Sequence, residues 1–187
     1  MPFITLLEIL YLVILTFVIG YIFSGYIKKP ITETDLVYDK SFSWDDIKYA
    51  TLITAPGVIL HELGHKFVAI FFGLDAVLHI FWEGLGLALF LKLISSPFLI
   101  IAPAYVSISS NGSPLISALT SFAGPFVNLL LFLIAYIILD RAKLTKNQAT
   151  ILYLTKQINL FLFIFNMIPI PPLDGYNFFY SLYRFIF

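Results

Sequence analysis

The sequence predicts an α-helical polytopic membrane protein with about four transmembrane helices, a re-entrant membrane-embedded β-hairpin and a short C-terminal segment. Of the 187 residues, 60% are hydrophobic and only 12% are charged, whereas soluble domains are about 25% charged. Several apolar runs reach the ~20 residues that a helix needs to cross a bilayer. Another apolar stretch is interrupted by glycine, serine and proline, which favours strands over a spanning helix.

Charge and cysteine content exclude several classes of protein. The formal net charge is zero, so nothing indicates a nucleic-acid partner. The chain has no cysteine, which excludes disulfides, thiolate zinc sites and thiol nucleophiles. Any bound metal must therefore be held by His, Asp or Glu.

The first span is predicted at residues 3–26, where Glu8 is the only charged side chain. No basic n-region and no small-residue cleavage site accompany this apolar run. We therefore expect an uncleaved transmembrane helix and not a signal peptide. A polar connection over residues 27–47 follows, and we read all of residues 1–187 as one domain.

The second span is predicted at residues 44–73. Ser43, with Asp46 three positions later, is typical of a helix N-cap, and Gly73 is a natural C-terminal stop. Pro56 should kink the helix, because proline removes a backbone donor and clashes with the preceding turn. Such a kink would open space for water beside the residues that follow.

Residues 76–112 are predicted to enter the membrane and turn back as a β-hairpin or sheet. Glycine, serine and proline interrupt the segment, and LALFLKL and YVSIS have strand-like composition. If the segment turns back, the second and fourth spans run parallel and their C-terminal halves can meet. The alternative, a crossing helix, would make those two spans antiparallel.

The third and fourth spans are predicted at residues 114–140 and 148–168. A basic connection separates them, and residues 169–187 are too short, and too rich in proline at their start, for another ordinary span. Glu8 in the first span and Lys92 in the re-entrant segment receive no predicted role.

The sequence HELGH lies in the second span and predicts a metal site. His61 and His65 are one helical turn apart, so both imidazoles project to the same side, as two ligands of tetrahedral zinc require. Glu62 lies next to the first ligand, where a carboxylate can take a proton from water. A chance pattern is the alternative, but ionisable residues inside a bilayer are costly and rarely idle.

A catalytic zinc normally has three protein ligands, so a third must lie elsewhere. The candidates are His79, Asp75, Glu83, Asp140 and Asp174. Asp174 follows a proline-rich stretch that cannot form regular helix, and its backbone must therefore face protein or water. On spacing alone, a ligand at Asp174 and an interfacial Asp-Gly turn are equally supported.

Asn128 and Asn166 are further polar groups in apolar segments. Either can join helices by hydrogen bonds, which is the commoner role of such residues. Asn166 lies close to the same proline-rich stretch as Asp174 and is also a candidate donor to a developing oxyanion. His79, just after the predicted helix stop, is interpreted as interfacial or structural.

Three motifs together resemble the site-2 protease family of intramembrane zinc metalloproteases: HELGH, SFAGPFVN and NMIPIPPLDG. The resemblance covers residues 50–175 and is to short archaeal or bacterial members without a PDZ or CBS domain. It implies one zinc ion held by His61, His65 and Asp174, with Glu62 as general base and Asn166 assisting at the oxyanion. Asn128 and Pro56 are supporting candidates.

The resemblance also implies a function and a location. The expected activity is cleavage of a single-span or helical membrane-protein substrate within the bilayer, in a prokaryotic cell membrane with lipid around a multi-pass chain. Basic residues at 28, 29, 141, 143 and 146 flank one side, which the positive-inside rule would call cytoplasmic. The family pattern instead places those basic connections outside and the zinc nearer the cytosolic face, and we adopt that orientation.

Two other functions remain open on the sequence. One is a non-proteolytic zinc-binding membrane protein such as a chaperone, although a structural site has no need of Glu62. The other is a zinc transporter with a midplane site, although transporters usually contain inverted repeats and none is apparent in the sequence.

Overall fold

A computed structural model of the protein describes residues 3–30, 43–96, 103–109 and 113–187. The elements in chain order are α1 (Leu6–Phe23), α2 (Trp44–Phe71), β1 (Ala76–Ile80), α3 (Trp82–Leu93), β2 (Ala104–Ile108), α4 (Pro114–Arg141), α5 (Lys146–Asn166) and α6 (Asp174–Ile186). Parts of the polar connection and of the predicted re-entrant segment, residues 31–42, 97–102 and 110–112, lie outside the described residues.

Both ends of α2 are as the sequence predicts. The Ser43 side chain accepts a hydrogen bond from the backbone N–H of Asp46 and caps the first turn. Gly73, with φ of +75°, takes the left-handed conformation just after the last turn. Pro56 lies inside α2, and the helix continues through it; the kink and its purpose stay predictions.

β1 and β2 form an antiparallel pair, with a register that runs from Ala76 opposite Ile108 to Ile80 opposite Ala104. The chain therefore enters and leaves this segment at the same level, as the re-entrant prediction requires. Consistent with this, residues 61 and 65 of α2 lie beside residues 128 and 120 of α4. α2 and α4 thus run antiparallel, and α2 and α5 run parallel.

The predicted strand LALFLKL is wrong, because these residues lie in helix α3. Gly84 and Gly86 are inside that helix and do not interrupt it. A helix satisfies its backbone hydrogen bonds within one segment, which matters more than glycine's low helix propensity where water is scarce. The other predicted strand, YVSIS, is confirmed, since β2 contains most of it.

Helices α1, α2 and α3 share an apolar core with the end of β1. Its buried members are Leu15, Ile19, Ile22, Ala55, Ile80, Leu85 and Ala88. On the other side of α2, α4 packs against α2, α5 and α6. The metal-ligating motif of α2 therefore lies between two packed groups of helices.

Within the part of the chain that the structure describes, three helices, α1, α4 and α5, are long and apolar enough to cross a membrane. Most of their apolar surface faces outward; α4, for example, exposes Leu133, Ile134 and Ile137, as expected of helices in contact with lipid. α2 is not among the three helices, because its charged and histidine residues lower its mean hydropathy. A fourth span at α2 stays a prediction.

Candidate metal centre

Three ligand atoms from two distant parts of the chain converge at the middle of the fold. His61 Nε2 and His65 Nε2 lie 3.2 Å apart, and Asp174 Oδ2 lies 3.0 Å from the first and 3.3 Å from the second. Among the described residues, these form the one group of His, Asp and Glu side chains close enough to hold a metal ion together.

The dimensions of this triangle fit zinc. Ligands bound at about 2.0–2.1 Å with tetrahedral angles are separated from one another by about 3.3–3.4 Å. The measured separations of 3.0–3.3 Å are close to that value. Two imidazoles and one carboxylate are also the type of ligand set found in catalytic zinc sites, which leave a fourth position open.

The orientation of His61 is determined by Asn128. Asn128 Nδ2 donates to the carbonyl of Gly57, which can only accept, over 3.0 Å. The Oδ1 atom of Asn128 therefore faces His61 Nδ1, at 2.7 Å, and His61 must carry its proton on Nδ1. Its Nε2 then has a lone pair directed at the other two ligand atoms.

His65 has an equivalent backbone partner. Its Nδ1 lies 2.8 Å from the carbonyl oxygen of Thr120 in α4, which again requires a proton on Nδ1 and frees Nε2. With the imidazoles neutral, two nitrogen lone pairs and a carboxylate oxygen face one another. These three atoms are the kind of donor set that binds a metal ion.

Two glycines allow the helices to approach closely enough. A Cβ on Gly124 would lie 2.3 Å from His65 Nε2, so a side chain there is incompatible with the ligand position. A Cβ on Gly64 would lie 2.9 Å from a methyl carbon of Val127. Gly64 therefore lets α2 and α4 approach closely.

Asp174 is brought to the histidines by the break between α5 and α6. It is the first residue of α6, which follows the proline-rich turn after α5. Gly175 is required here, because a Cβ would lie 2.4 Å from the backbone carbon of Met167 at the end of α5. Of the two interpretations left open by the sequence, the geometry supports the ligand.

Glu62 is buried beside this triangle, one residue after His61. Its charge is close enough to interact with His61, His65 and Asp174. No described residue donates a hydrogen bond to its carboxylate, so both oxygens are free to accept a proton. The position suits a base, and its catalytic role stays a prediction.

Two further predicted residues, Asn166 and His79, are not among the three candidate ligands. Asn166, half-buried at the last position of α5, makes no side-chain hydrogen bond to another described residue, and its predicted role at the oxyanion stays a prediction. His79 stacks on Tyr105 of the neighbouring strand, with ring centroids 5.4 Å apart, as a structural histidine would.

A buried ion pair lies one residue beyond the second histidine. Lys66 and Glu8, each 2% exposed, pair across α1 and α2. Glu8 also accepts from the backbone N–H groups of Leu78 in β1 and of Thr5, both at 2.8 Å. The pair therefore links α1 and β1 to the ligand-bearing helix, a role that the sequence did not reveal.

Sequence reasoning also missed Asn159. This fully buried residue of α5 accepts from Asn128 Nδ2 over 3.0 Å and donates to the carbonyl of Thr155 over 2.8 Å. It thereby extends the chain of hydrogen bonds that begins at His61. A signal was present, because Asn159 lies two helical turns before Asn166 in an apolar helix, and intramembrane asparagines usually have partners.

Three curated proteins are similar to this chain. "Putative zinc metalloprotease MJ0611" of Methanocaldococcus jannaschii is 33% identical over 66% of this chain and 65% of its own length. "Putative zinc metalloprotease sll0528" of a Synechocystis species is 34% identical over 67% of this chain and 29% of its own. "Putative zinc metalloprotease YwhC" of Bacillus subtilis is 29% identical over 69% of this chain and 66% of its own.

The similarity therefore spans less than two thirds of each relative's length. No protein-family model matches the chain, and no solved structure matches it. Over about two thirds of its length, the chain is homologous to proteins that carry the name zinc metalloprotease.

Proposed function

We propose that this protein is a zinc-dependent endopeptidase of the site-2 protease type, which cleaves transmembrane segments of other membrane proteins within the bilayer. The observation that carries the proposal is the triangle of His61, His65 and Asp174 with Glu62 beside it. This triangle lies in a chain with three helices apolar enough to span a membrane.

Each site residue has a chemical task in this proposal. His61, His65 and Asp174 would hold zinc, which when bound supplies a Lewis acid that withdraws electron density from oxygen and makes water more acidic. Glu62 accepts the proton of the attacking water and returns it to the leaving amine. Asn166 is the proposed hydrogen-bond donor to the oxyanion.

The hairpin supports a route for substrate binding. Backbone hydrogen bonds from Ser109 N to Asp75 O and from Phe81 N to Pro103 O show which residues of each strand bond to the partner strand. In an antiparallel pair, the residues between these positions direct their backbone N–H and C=O groups away from the partner strand. On β1 this outer edge is occupied, because Leu78 N donates to Glu8.

By the same register, the residues of β2 whose backbone groups point away from β1 are Ala104, Val106 and Ile108. No described residue forms a backbone hydrogen bond to their N–H groups. An unwound stretch of a substrate helix would pair with this edge by strand addition. Local unwinding is necessary, since the hydrogen bonds of an intact helix shield the scissile amide.

The proposal includes a location and partners. The chain would be a multi-pass protein of a prokaryotic cell membrane, with its site nearer the cytosolic face. Its partners would be lipid and a single-span or helical membrane-protein substrate, with no nucleic acid. A non-proteolytic zinc-binding protein, chaperone-like or transporter-like, is the competing function.

The test uses the purified protein and a fluorescent single-span substrate. Cleavage is measured with and without a chelator, and beside a Glu62→Gln variant whose zinc content is determined separately. We expect a chelator to abolish cleavage, and we expect Glu62→Gln to retain zinc but lose at least 100-fold in rate. Cleavage that survives both treatments contradicts the mechanism, and zinc binding without cleavage of several substrates supports the competing function.

A further inference from the structure

A polar cavity of about 370 Å³ lies at the N-terminal end of α4, and its lining includes Thr120, whose carbonyl faces His65. Its lining includes five residues with hydroxyl side chains and one arginine, together with apolar residues: Ser109, Ser117, Thr120, Ser121, Ser181 and Arg184. In a chain that is 60% hydrophobic, such a concentration of hydroxyl groups is unexpected. No step of the proposed reaction uses it.

The cavity favours an anionic ligand. Arg184 provides a permanent positive charge. Among the described residues, no carboxylate lines the cavity and none forms an ion pair with Arg184. Two of the hydroxyl groups can still donate a hydrogen bond. Ser109 Oγ accepts from a backbone N–H, and Ser117 Oγ accepts from Ser181 Oγ, so both serines have a hydrogen to offer.

The cavity is continuous with the proposed substrate path. Ile108, which lines it, is the last residue of β2, so a strand added along the outer edge of β2 would lead into it. Thr120, which also lines it, accepts from His65 through its carbonyl. Arg184 lies nearly three turns beyond Asp174 in α6, about 15 Å along the helix axis.

We propose that this cavity is a substrate subsite that binds an acidic side chain in the segment flanking the scissile bond. The carboxylate would pair with Arg184 and accept hydrogen bonds from Ser109 and Ser117. This inference rests on the proposed protease function, because it assumes that a peptide strand follows β2. It assigns the enzyme a preference for Asp or Glu at one position of its substrate.

A peptide series tests the subsite. One single-span peptide is prepared with Asp, Asn or Lys at each successive position flanking the cleavage site, and kcat/KM is measured in detergent micelles. We expect one position at which Asp is cleaved about three- to tenfold faster than Asn, and Lys more slowly than either, as for a partly exposed ion pair.

Variants of Arg184 assign that preference to the cavity. Arg184→Gln should remove it and Arg184→Glu should reverse it toward Lys. Arg141→Gln, which changes the other arginine of the chain at the far end of α4, is the matched control. It should leave the preference intact. No charge preference, or one that survives Arg184→Gln, overturns the subsite.

A binding measurement separates this inference from the protease proposal. Anisotropy of the labelled Asp peptide is measured with Glu62→Gln, alone and combined with Arg184→Gln. A three- to tenfold loss of affinity specific to the Asp peptide supports the subsite even if no peptide is cleaved, in which case only the protease proposal fails. If Arg184 instead governs binding of phosphatidylglycerol vesicles and not of the Asp peptide, the cavity binds lipid phosphate and the inference is wrong.

Discussion

Asn128 Oδ1 lies 2.7 Å from His61 Nδ1 and thereby fixes which nitrogen of the imidazole faces the other ligand atoms. The two residues belong to different helices, and both are buried. Asn128 also donates to Gly57 and Asn159. One side chain thus joins three helices and orients the candidate ligand His61; a functional role for Asn128 stays a prediction.

The first prediction follows from this hydrogen bond. Asn128→Leu removes the acceptor for His61 and should lower zinc affinity about 10- to 100-fold, the usual cost of losing such a partner. Competition with a chromophoric chelator measures the affinity. Asn128→Asp keeps an acceptor oxygen, so its zinc affinity should fall by a smaller factor. Equal affinity of a folded Leu variant and the wild type would contradict the orienting role.

The second prediction concerns the third ligand. Asp174→Asn replaces the carboxylate that lies 3.0 Å and 3.3 Å from the two imidazoles, and a neutral amide oxygen is a much weaker zinc ligand. We expect less than one zinc per chain by elemental analysis after dialysis. His79→Ala is the control, because His79 stacks on Tyr105 away from the centre; it should keep its zinc. A fully loaded Asn variant would exclude Asp174 as a ligand.

The third prediction concerns Gly124. Gly124→Ala would put a methyl group 2.3 Å from His65 Nε2, so the ligand must move and zinc affinity should fall at least tenfold. Gly86→Ala is the matched control, since an added Cβ there meets nothing within 4 Å. It should bind zinc normally and gain up to about 1 kcal/mol of stability. Equal zinc affinity of the two variants would contradict the prediction and show that α4 can shift to accommodate the added methyl group.

The fourth prediction concerns the ion pair of Glu8 and Lys66. Lys66→Met leaves Glu8 charged and buried, which should lower the free energy of unfolding by about 3–5 kcal/mol. Adding Glu8→Gln to it should restore much of that loss. Unfolding by denaturant in detergent gives the values. The exposed pair of Lys29 and Asp45 is the comparison, and Lys29→Met should cost at most about 1 kcal/mol. Equal losses at both sites would contradict a structural role for the buried pair.

Local sequence signals predicted two of the three candidate ligands, His61 and His65, but not the groups that orient them. The histidines are one turn apart in the same helix, so helix geometry alone brings them together. The partners of those histidines, Asn128 and the carbonyl of Thr120, belong to another helix. Their pairing depends on how α2 and α4 pack, which no local pattern encodes. Asp174 needed the family resemblance for the same reason.

The re-entrant segment shows a different limit of prediction from sequence. Its turning back was predicted correctly, and β2 lies where strand-like composition placed it. The error was α3, where Gly84 and Gly86 suggested a break. Glycine propensities are measured in water, where an open backbone can bond to solvent. In apolar surroundings with little water the backbone must bond to itself, and a helix does this most simply.

The last prediction concerns the outer edge of β2. Val106→Pro removes an N–H group that points away from β1 by the observed register, so the bonds between the two strands should remain. If a substrate strand pairs with this edge, cleavage should fall at least tenfold in kcat/KM, mainly through KM, while zinc content stays unchanged. Val106→Thr keeps the N–H group and a similar volume, and should retain activity. A Pro variant that cleaves like the Thr variant would show that substrates reach the metal centre without pairing to β2.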